Sequence, residues 1–482
     1  MTKRLGTATV SELKTHIRLP AYQPGDHGVG IVHLGVGAFH KAHQAVYTDD
    51  VLARHGGNWR IRGVSLRSQS VAQSLNPQQG LFSVGVSEGD DESIRIIGSI
   101  AEVLVAPDSP EAVLDALSDP GTHCITLTIT EKGYCVDPST GKLDMQHPQV
   151  VHDLGSPRSP HSAPGYLCEA IRRRALINAP VNIISCDNLA GNGQKLKSAV
   201  MSLLQEQSPQ WIAWCEHNVA FPSTMVDRIV PAVTDDVVAS TALSLGLEDR
   251  ACVKTEPFSQ WVIEDRFIAP RPAWEDAGAL IVRDVEVYET NKLRLLNGAH
   301  SFLAYVGLLR GHTYVHEAIA DPELKRAVEW LMDSEVIPEL TPPAGFNLHD
   351  YAAALRARFA NTALNHALLQ IAADGSQKLP QRLLPVIRQR IQKELPIDML
   401  ALGVAAWIQV ISAEGLRGES IIVDDPIAER MRTVTRGETP INKVALLLDT
   451  SGIFGDDLAT SDVFSRALLA ATDTLIANGA LV

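Results

Sequence analysis

Gly30-Ile31-Val32-His33-Leu34-Gly35-Val36-Gly37-Ala38-Phe39-His40 decides how the rest of the chain is read. The first five residues form a short apolar run, which predicts a buried strand. Two glycines follow, and then Lys41-Ala42-His43-Gln44-Ala45-Val46-Tyr47, which has helical character. Strand, glycine turn and helix in that order are the context of a dinucleotide-binding fingerprint. Gly35 allows the tight turn, and Gly37 lets backbone approach a pyrophosphate at the helix N-terminus. The third glycine of the fingerprint is absent, because His40 stands there. Taken alone, the spacing also fits any strand-to-helix turn. Val36, Ala38 and Phe39 complete the candidate cofactor segment.

Alternation of strand and helix continues outward. Ile61–Leu66 predicts the next strand and is followed by Arg67-Ser68, where the fingerprint expects an acid for a ribose 2′-hydroxyl. A cation there suits a 2′-phosphate or stacks on adenine; otherwise Arg67 is a solvated loop residue. Ile94–Gly98, Cys124–Thr130 and Val181–Cys186 predict further strands, with helices over Pro110–Leu117 and Glu169–Leu176. This rhythm argues for a largely parallel sheet. Ligands of such sheets bind beyond the carboxyl ends of the strands. Gly35, Glu131 and Asn188 all stand at such ends. The strand signal fades after residue 200, where Phe221–Pro231 reads as a proline-bounded loop. From about residue 285 onward the segments have helical period. The expectation is therefore an α/β dinucleotide-binding domain over 1–283 and a mainly α-helical domain over 284–482.

The chain has 482 residues, 45% hydrophobic and 20% charged, with a formal net charge of −14. The size suits two domains. The acidic balance argues against nucleic acid or an anionic membrane as partner. Met1–Leu19 lacks the apolar run of a secretory signal. Met399–Ala413 is too short to span a bilayer and reads as a buried helix. The six cysteines show no C-x-x-C pairing, which suits free thiols and a cytoplasmic protein.

Just past the expected boundary lies Asn291-Lys292-Leu293-Arg294-Leu295-Leu296-Asn297-Gly298-Ala299-His300-Ser301. At about 100° per residue, with Lys292 at zero, His300 falls near ~80° and Asn297 near ~140°. Leucines and Phe302 fill an apolar arc beside Lys292. A lysine drawn into apolar surroundings loses solvation and its pKa falls, which equips it as a general base. Asn297 offers an amide donor to an oxygen gaining negative charge, and His300 can orient a hydroxyl. An ordinary buried helix with a snorkelling lysine gives the same spacing.

The chain resembles the mannitol dehydrogenase family of polyol-specific long-chain dehydrogenases. The likeness rests on Gly35–His40 with Ala42-His43-Gln44, Thr130-Glu131-Lys132-Gly133-Tyr134, Ser185-Cys186-Asp187-Asn188, Met225–Ile229, Gln260–Asp265, Lys292–Ser301 and Asp374–Pro380. These stretches run in order through nearly the whole chain. The resemblance implies a Rossmann-type cofactor domain, NAD(H) as cofactor with NADP as the alternative, and no metal. It implies Lys292 as the base that removes the C2 hydroxyl proton while hydride leaves C2. Asn188 and Asn297 would then bond the alkoxide-like oxygen, and His300 would orient the substrate. Glu131, Lys132, Asp227 and Lys378 become candidates for hydroxyl or carboxylate contacts. Glu131–Cys135 and Asp374–Arg382 are similar to the sugar-acid branch, which interconverts D-mannonate and D-fructuronate. Mannitol, arabinitol or another polyol is the alternative substrate, and a non-catalytic sugar-binding protein the remote one. A monomer or small homo-oligomer is expected.

Overall fold

The structure, a computed structural model, describes residues 3–137, 140–343, 345–363, 365–412 and 421–477. Of the sequence readings above, Met1, Thr2 and Ala413 lie outside these residues. The chain divides into two compact units, Met1–Glu286 and Val287–Val482.

The first unit contains the strands β1 (Val29–Leu34), β2 (Arg60–Ser65), β3 (Phe82–Glu88), β4 (Asp91–Ile97), β5 (Ile100–Val105), β6 (Cys124–Leu127), β7 (Val181–Ser185), β8 (Val219–Ala220), β9 (Thr224–Asp227), β10 (Val253–Thr255), β11 (Gln260–Glu264) and β12 (Leu280–Val282). Six of them form one sheet in the order β5-β2-β1-β6-β7-β8. Every pair in that sheet is parallel. Counted within the sheet, the order is 3-2-1-4-5-6, that of a Rossmann fold, and its switch point lies between β1 and β6. Strands β6 and β7 are buried along their whole length, as an apolar strand covered on both faces should be.

Two findings correct the sequence reading. Ile94–Ile97 is a strand, but β4 belongs to a separate three-stranded sheet, β10-β3-β4, and pairs antiparallel with β3. Phe221–Pro231 is not all loop, because it contains β9, which pairs antiparallel with β11 in a third sheet, β12-β11-β9. Strand β9 is buried at all four positions, Thr224 and Asp227 included. It therefore lacks the polar and apolar alternation that marks a strand in sequence. Trp261 of β11 is fully buried and packs against Trp274 with ring centroids 4.8 Å apart.

In the second unit every described element is helical. The helix Asp398–Ile411 is buried from Leu400 to Ile411, so it is the central helix, apolar on every side. It shares a core with Phe302 and Leu303 of the helix Gly298–Leu309 and with Phe464 and Leu468 of Asp462–Ala477. The regular helical geometry expected over Asn291–Ser301 needs correction. Glu286–Asn291 is α-helical, Lys292–Asn297 is a π-helix, and α-helix resumes at Gly298. Asp374, at φ 54°, stands at the start of the helix Gly375–Arg382. Asp425 caps that start, accepting from Ser376 N and Ser376 Oγ at 2.7 Å each. Among the described residues, no helix is long and apolar enough to cross a membrane.

Candidate active site

At the end of β1 the chain turns at Gly35, whose φ is +92°. A Cβ built there would meet the Thr128 carbonyl oxygen at 2.2 Å, so only glycine fits without movement. Gly37 differs, with φ −108°. A Cβ on it would meet only Gly35 O, at 4.0 Å. The space over the turn is therefore open, as a pyrophosphate laid on this backbone requires.

A buried polar chain fixes the turn from below. The Thr128 hydroxyl donates to Gly35 O at 2.8 Å. Its one proton is thus used, and His33 Nε2, 2.9 Å away, must be the donor to it. His33 Nδ1 then accepts from the Thr126 hydroxyl at 2.7 Å. Burial lowers the His33 pKa to about 3, which keeps this neutral tautomer. His40, at the place of the missing third glycine, stacks flat on His33 at 3.4 Å. Its pKa lies well below the usual histidine value, through burial first and His33 second. Two flat neutral rings thus provide the close helix-to-strand approach that a glycine would otherwise allow. Arg228 accounts for the Met225–Ile229 motif, because it donates to Ala42 O at the last residue of the helix Ala38–Ala42 and to Glu256 O.

Arg67 is exposed after β2, and residues 65–70 hold no acid. Glu131 and Lys132 are exposed in the short 3-10 turn Glu131–Tyr134 that follows β6. Asn188 is exposed beyond β7. Asp227 ends β9 and is buried. The sheet thus gathers Gly35, Glu131 and Asn188 at the carboxyl ends of its adjacent strands β1, β6 and β7.

The second unit carries Lys292, Asn297 and His300 on one helical run, buried to 6%, 6% and 7% exposure. The π-helix changes their geometry. Gly298 N bonds Leu293 O, five residues back. A turn closed over five residues brings Asn297 roughly over Lys292, not ~140° away as a regular helix would. Asn297 Nδ2 and His300 Nε2 are buried and have no hydrogen-bond partner among the described residues. An unpartnered buried polar group costs about 1–3 kcal/mol, so two on one face point to a ligand. The His300 ring packs on Phe359 at 4.5 Å and meets His366 edge-on at 5.5 Å. Its pKa falls well below the usual value, by burial first and then by His366, Arg358, Arg382 and Lys292. It is a neutral hydrogen-bonding group in cationic surroundings. Arg382 donates to Asn297 O at 3.3 Å and to Ser301 Oγ at 3.0 Å. Lys378 donates to the carbonyls of Ile371 and Ala373 at 3.2 and 2.5 Å.

Sequence reasoning passed over Asp187, Arg358, His366 and Arg382. Arg382 lies four residues after Lys378, one helical turn on, in the helix Gly375–Arg382. Arg358 and His366 carry no local signal.

The model of the mannitol dehydrogenase Rossmann domain matches residues 29–276, and that of the mannitol dehydrogenase C-terminal domain matches 284–476. The chain is 43% identical to D-mannonate oxidoreductase of Escherichia coli over 455 residues, 93% of this chain and 94% of that one. It is 37% identical to mannitol 2-dehydrogenase of Phaeosphaeria nodorum, over 99% of this chain and 84% of the relative. Among solved structures, the Pseudomonas fluorescens mannitol 2-dehydrogenase ternary complex with NAD and D-mannitol superposes with a TM-score of 0.90. That pair is 36% identical and covers 99% of this chain and 98% of the other. Both domains of a known oxidoreductase family are thus present in order, and the chain belongs to the mannitol dehydrogenase family.

Proposed function

We propose that this chain is an NAD(H)-dependent, metal-independent oxidoreductase. It interconverts a secondary alcohol and a ketone at C2 of a sugar acid, with D-mannonate and D-fructuronate as the pair. The observation that carries the reading is the pair of buried, unpartnered nitrogens, Asn297 Nδ2 and His300 Nε2, on the run that begins at Lys292. Lys292 takes the C2 hydroxyl proton during oxidation and returns it during reduction. The nicotinamide, when bound, supplies the hydride acceptor or donor. Asn297 donates to the C2 oxygen as charge builds on it, and Asn188 serves the same oxygen. Neutral His300 orients a hydroxyl and does not act as an acid. Gly35 through Phe39 carry the pyrophosphate, and Arg67 lies by the adenosine ribose. Glu131, Lys132, Asp227 and Lys378 are assigned to the remaining substrate oxygens.

A sugar acid is favoured over a neutral polyol by the cations around His300. Burying a carboxylate without a partner costs several kcal/mol, and Arg358 and Arg382 both act electrostatically on His300. The 43% identity to a D-mannonate oxidoreductase supports the same choice. The polyol reading rests on the likeness to the mannitol-bound complex. Steady-state NADH oxidation with D-fructuronate and D-fructose separates the two. The proposal requires the higher kcat/KM with fructuronate; a higher value with fructose replaces it by the polyol reading.

A further inference from the structure

Asp187 stands between two of the strand-end segments assigned to substrate, and it is 7% exposed. Its carboxylate accepts three hydrogen bonds. Oδ1 accepts from Thr130 N at 2.8 Å, and Oδ2 from Ile129 N at 3.1 Å and from the Tyr134 hydroxyl at 2.7 Å. The Tyr134 proton is committed to Asp187, so Ser185 Oγ, 2.5 Å away, donates to the phenol oxygen. Tyr134 itself is buried in the core of the first unit. The backbone of Asp187 is held as well, because its carbonyl accepts from Leu189 N and Asn192 Nδ2 at 2.9 Å each.

What these bonds hold is a strained turn. Thr130 has φ 63° and ψ 167°, a region populated almost only by glycine and costing about 1–3 kcal/mol for other residues. Such a conformation persists only where its surroundings over-determine it. The bonds to Ile129 N and Thr130 N, with Gly133 N donating to Thr130 O at 3.0 Å, supply that constraint. Glu131 leaves this turn directly, and Asn188 follows Asp187 directly. One carboxylate therefore couples the end of β6 to the end of β7.

We propose that Asp187 is a positioning residue: it locks the Ile129–Tyr134 turn to the Asn188 backbone, so that Glu131 and Asn188 are presented to substrate as one unit. The inference rests on the proposed roles of Glu131 and Asn188. It differs from a merely stabilising carboxylate in one measurable way, its coupling to Asn188. Once the Asn188 amide is gone, only the Glu131 half of that unit is left for the carboxylate to position, so part of its effect disappears.

The test is a double-mutant cycle of Asp187→Asn and Asn188→Ala, with Tyr134→Phe as a milder variant that loosens the carboxylate without altering it. The readouts are kcat and KM for the ketone, NADH affinity by fluorescence titration, and Tm. The expected result is a fall in kcat of about tenfold or more in Asp187→Asn, with NADH Kd within about twofold. The double variant should then lose clearly less than the product of the two single losses, because the Asn188 share is counted only once. Tyr134→Phe should show a smaller loss and the same non-additivity. Losses that multiply in the double variant, or a lowered Tm at native kcat in both Asp187→Asn and Tyr134→Phe, overturn the positioning role alone. Native turnover in Asn188→Ala overturns the assignment of Asn188 itself, and the positioning role with it.

Discussion

Alanine at Gly35 and at Gly37 should fail in opposite ways, although the two glycines are two residues apart in one turn. At Gly35 the backbone φ is +92° and an added Cβ lies 2.2 Å from Thr128 O and 2.9 Å from Thr128 C. The left-handed conformation costs an L-residue about 1–2 kcal/mol, and relieving an overlap with packed backbone costs about 1–3 kcal/mol more. Gly35→Ala should therefore lose about 2–5 kcal/mol of stability. At roughly 2–4 °C per kcal/mol for a domain of this size, that is a fall of about 5–20 °C in Tm. At Gly37 the backbone is unstrained and the only neighbour is at 4.0 Å. Gly37→Ala should keep Tm within about 2 °C, because the added methyl meets no atom of the described residues closer than Gly35 O at 4.0 Å. It should weaken NADH by tenfold or more, about 1.4 kcal/mol, because the methyl occupies the space assigned to the pyrophosphate. Differential scanning fluorimetry and NADH fluorescence titration on the two variants decide the matter. Native NADH affinity in a folded Gly37→Ala protein would refute the placement of the cofactor on this turn.

Burial holds His33 at a pKa of about 3, against about 6.5 in an unfolded chain. The unfolded state therefore takes up the proton first, and stability is lost as pH falls from about 6.5 toward 3; at pH 5 the loss is about 2 kcal/mol from this residue. Urea unfolding at pH 7 and pH 5 should show a decline that is smaller by about that amount in His33→Asn, and equal declines would contradict the burial argument. Arg67→Asp should cost NADP(H) use more than NAD(H) use; a native enzyme that prefers NADP(H) by tenfold or more would make Arg67 a phosphate clamp. Arg382→Met should raise KM for fructuronate roughly tenfold to a hundredfold more than for fructose, the range expected when a charge-assisted bond of about 1.5–3 kcal/mol is lost. A uniform rise for both ketones would leave Arg382 as a helix brace alone.

The Rossmann sheet was legible because its strands are apolar runs that end in glycine or polar turns, and β1, β2, β6 and β7 fall where the pattern puts them. The smaller sheets were not. Their strands β9, β10 and β12 are only three to four residues long, too short to show a period. Lys292, Asn297 and His300 were legible as residues but not in their geometry, because the π-helix departs from 3.6 residues per turn and nothing in Leu293–Leu296 announces it. Lys378 is legible as a candidate substrate contact, but its bonds to the carbonyls of Ile371 and Ala373 are not, because they depend on where the preceding helix Leu368–Ala372 ends. Asp187 lay inside a quoted motif, yet its partners Ile129, Thr130 and Tyr134 are more than fifty residues away in sequence.

The central claim is that Lys292 is the proton acceptor, and Lys292→Ala tests it most directly. The quantities to compare with the native protein are kcat for alcohol oxidation, NADH Kd and Tm, with and without added primary amines. A positioned general base contributes about 10²–10⁴-fold. The account requires a fall of that size in kcat, NADH Kd within about twofold, unchanged Tm, and partial recovery of turnover with methylamine. Turnover within tenfold of native in a folded Lys292→Ala protein would contradict it.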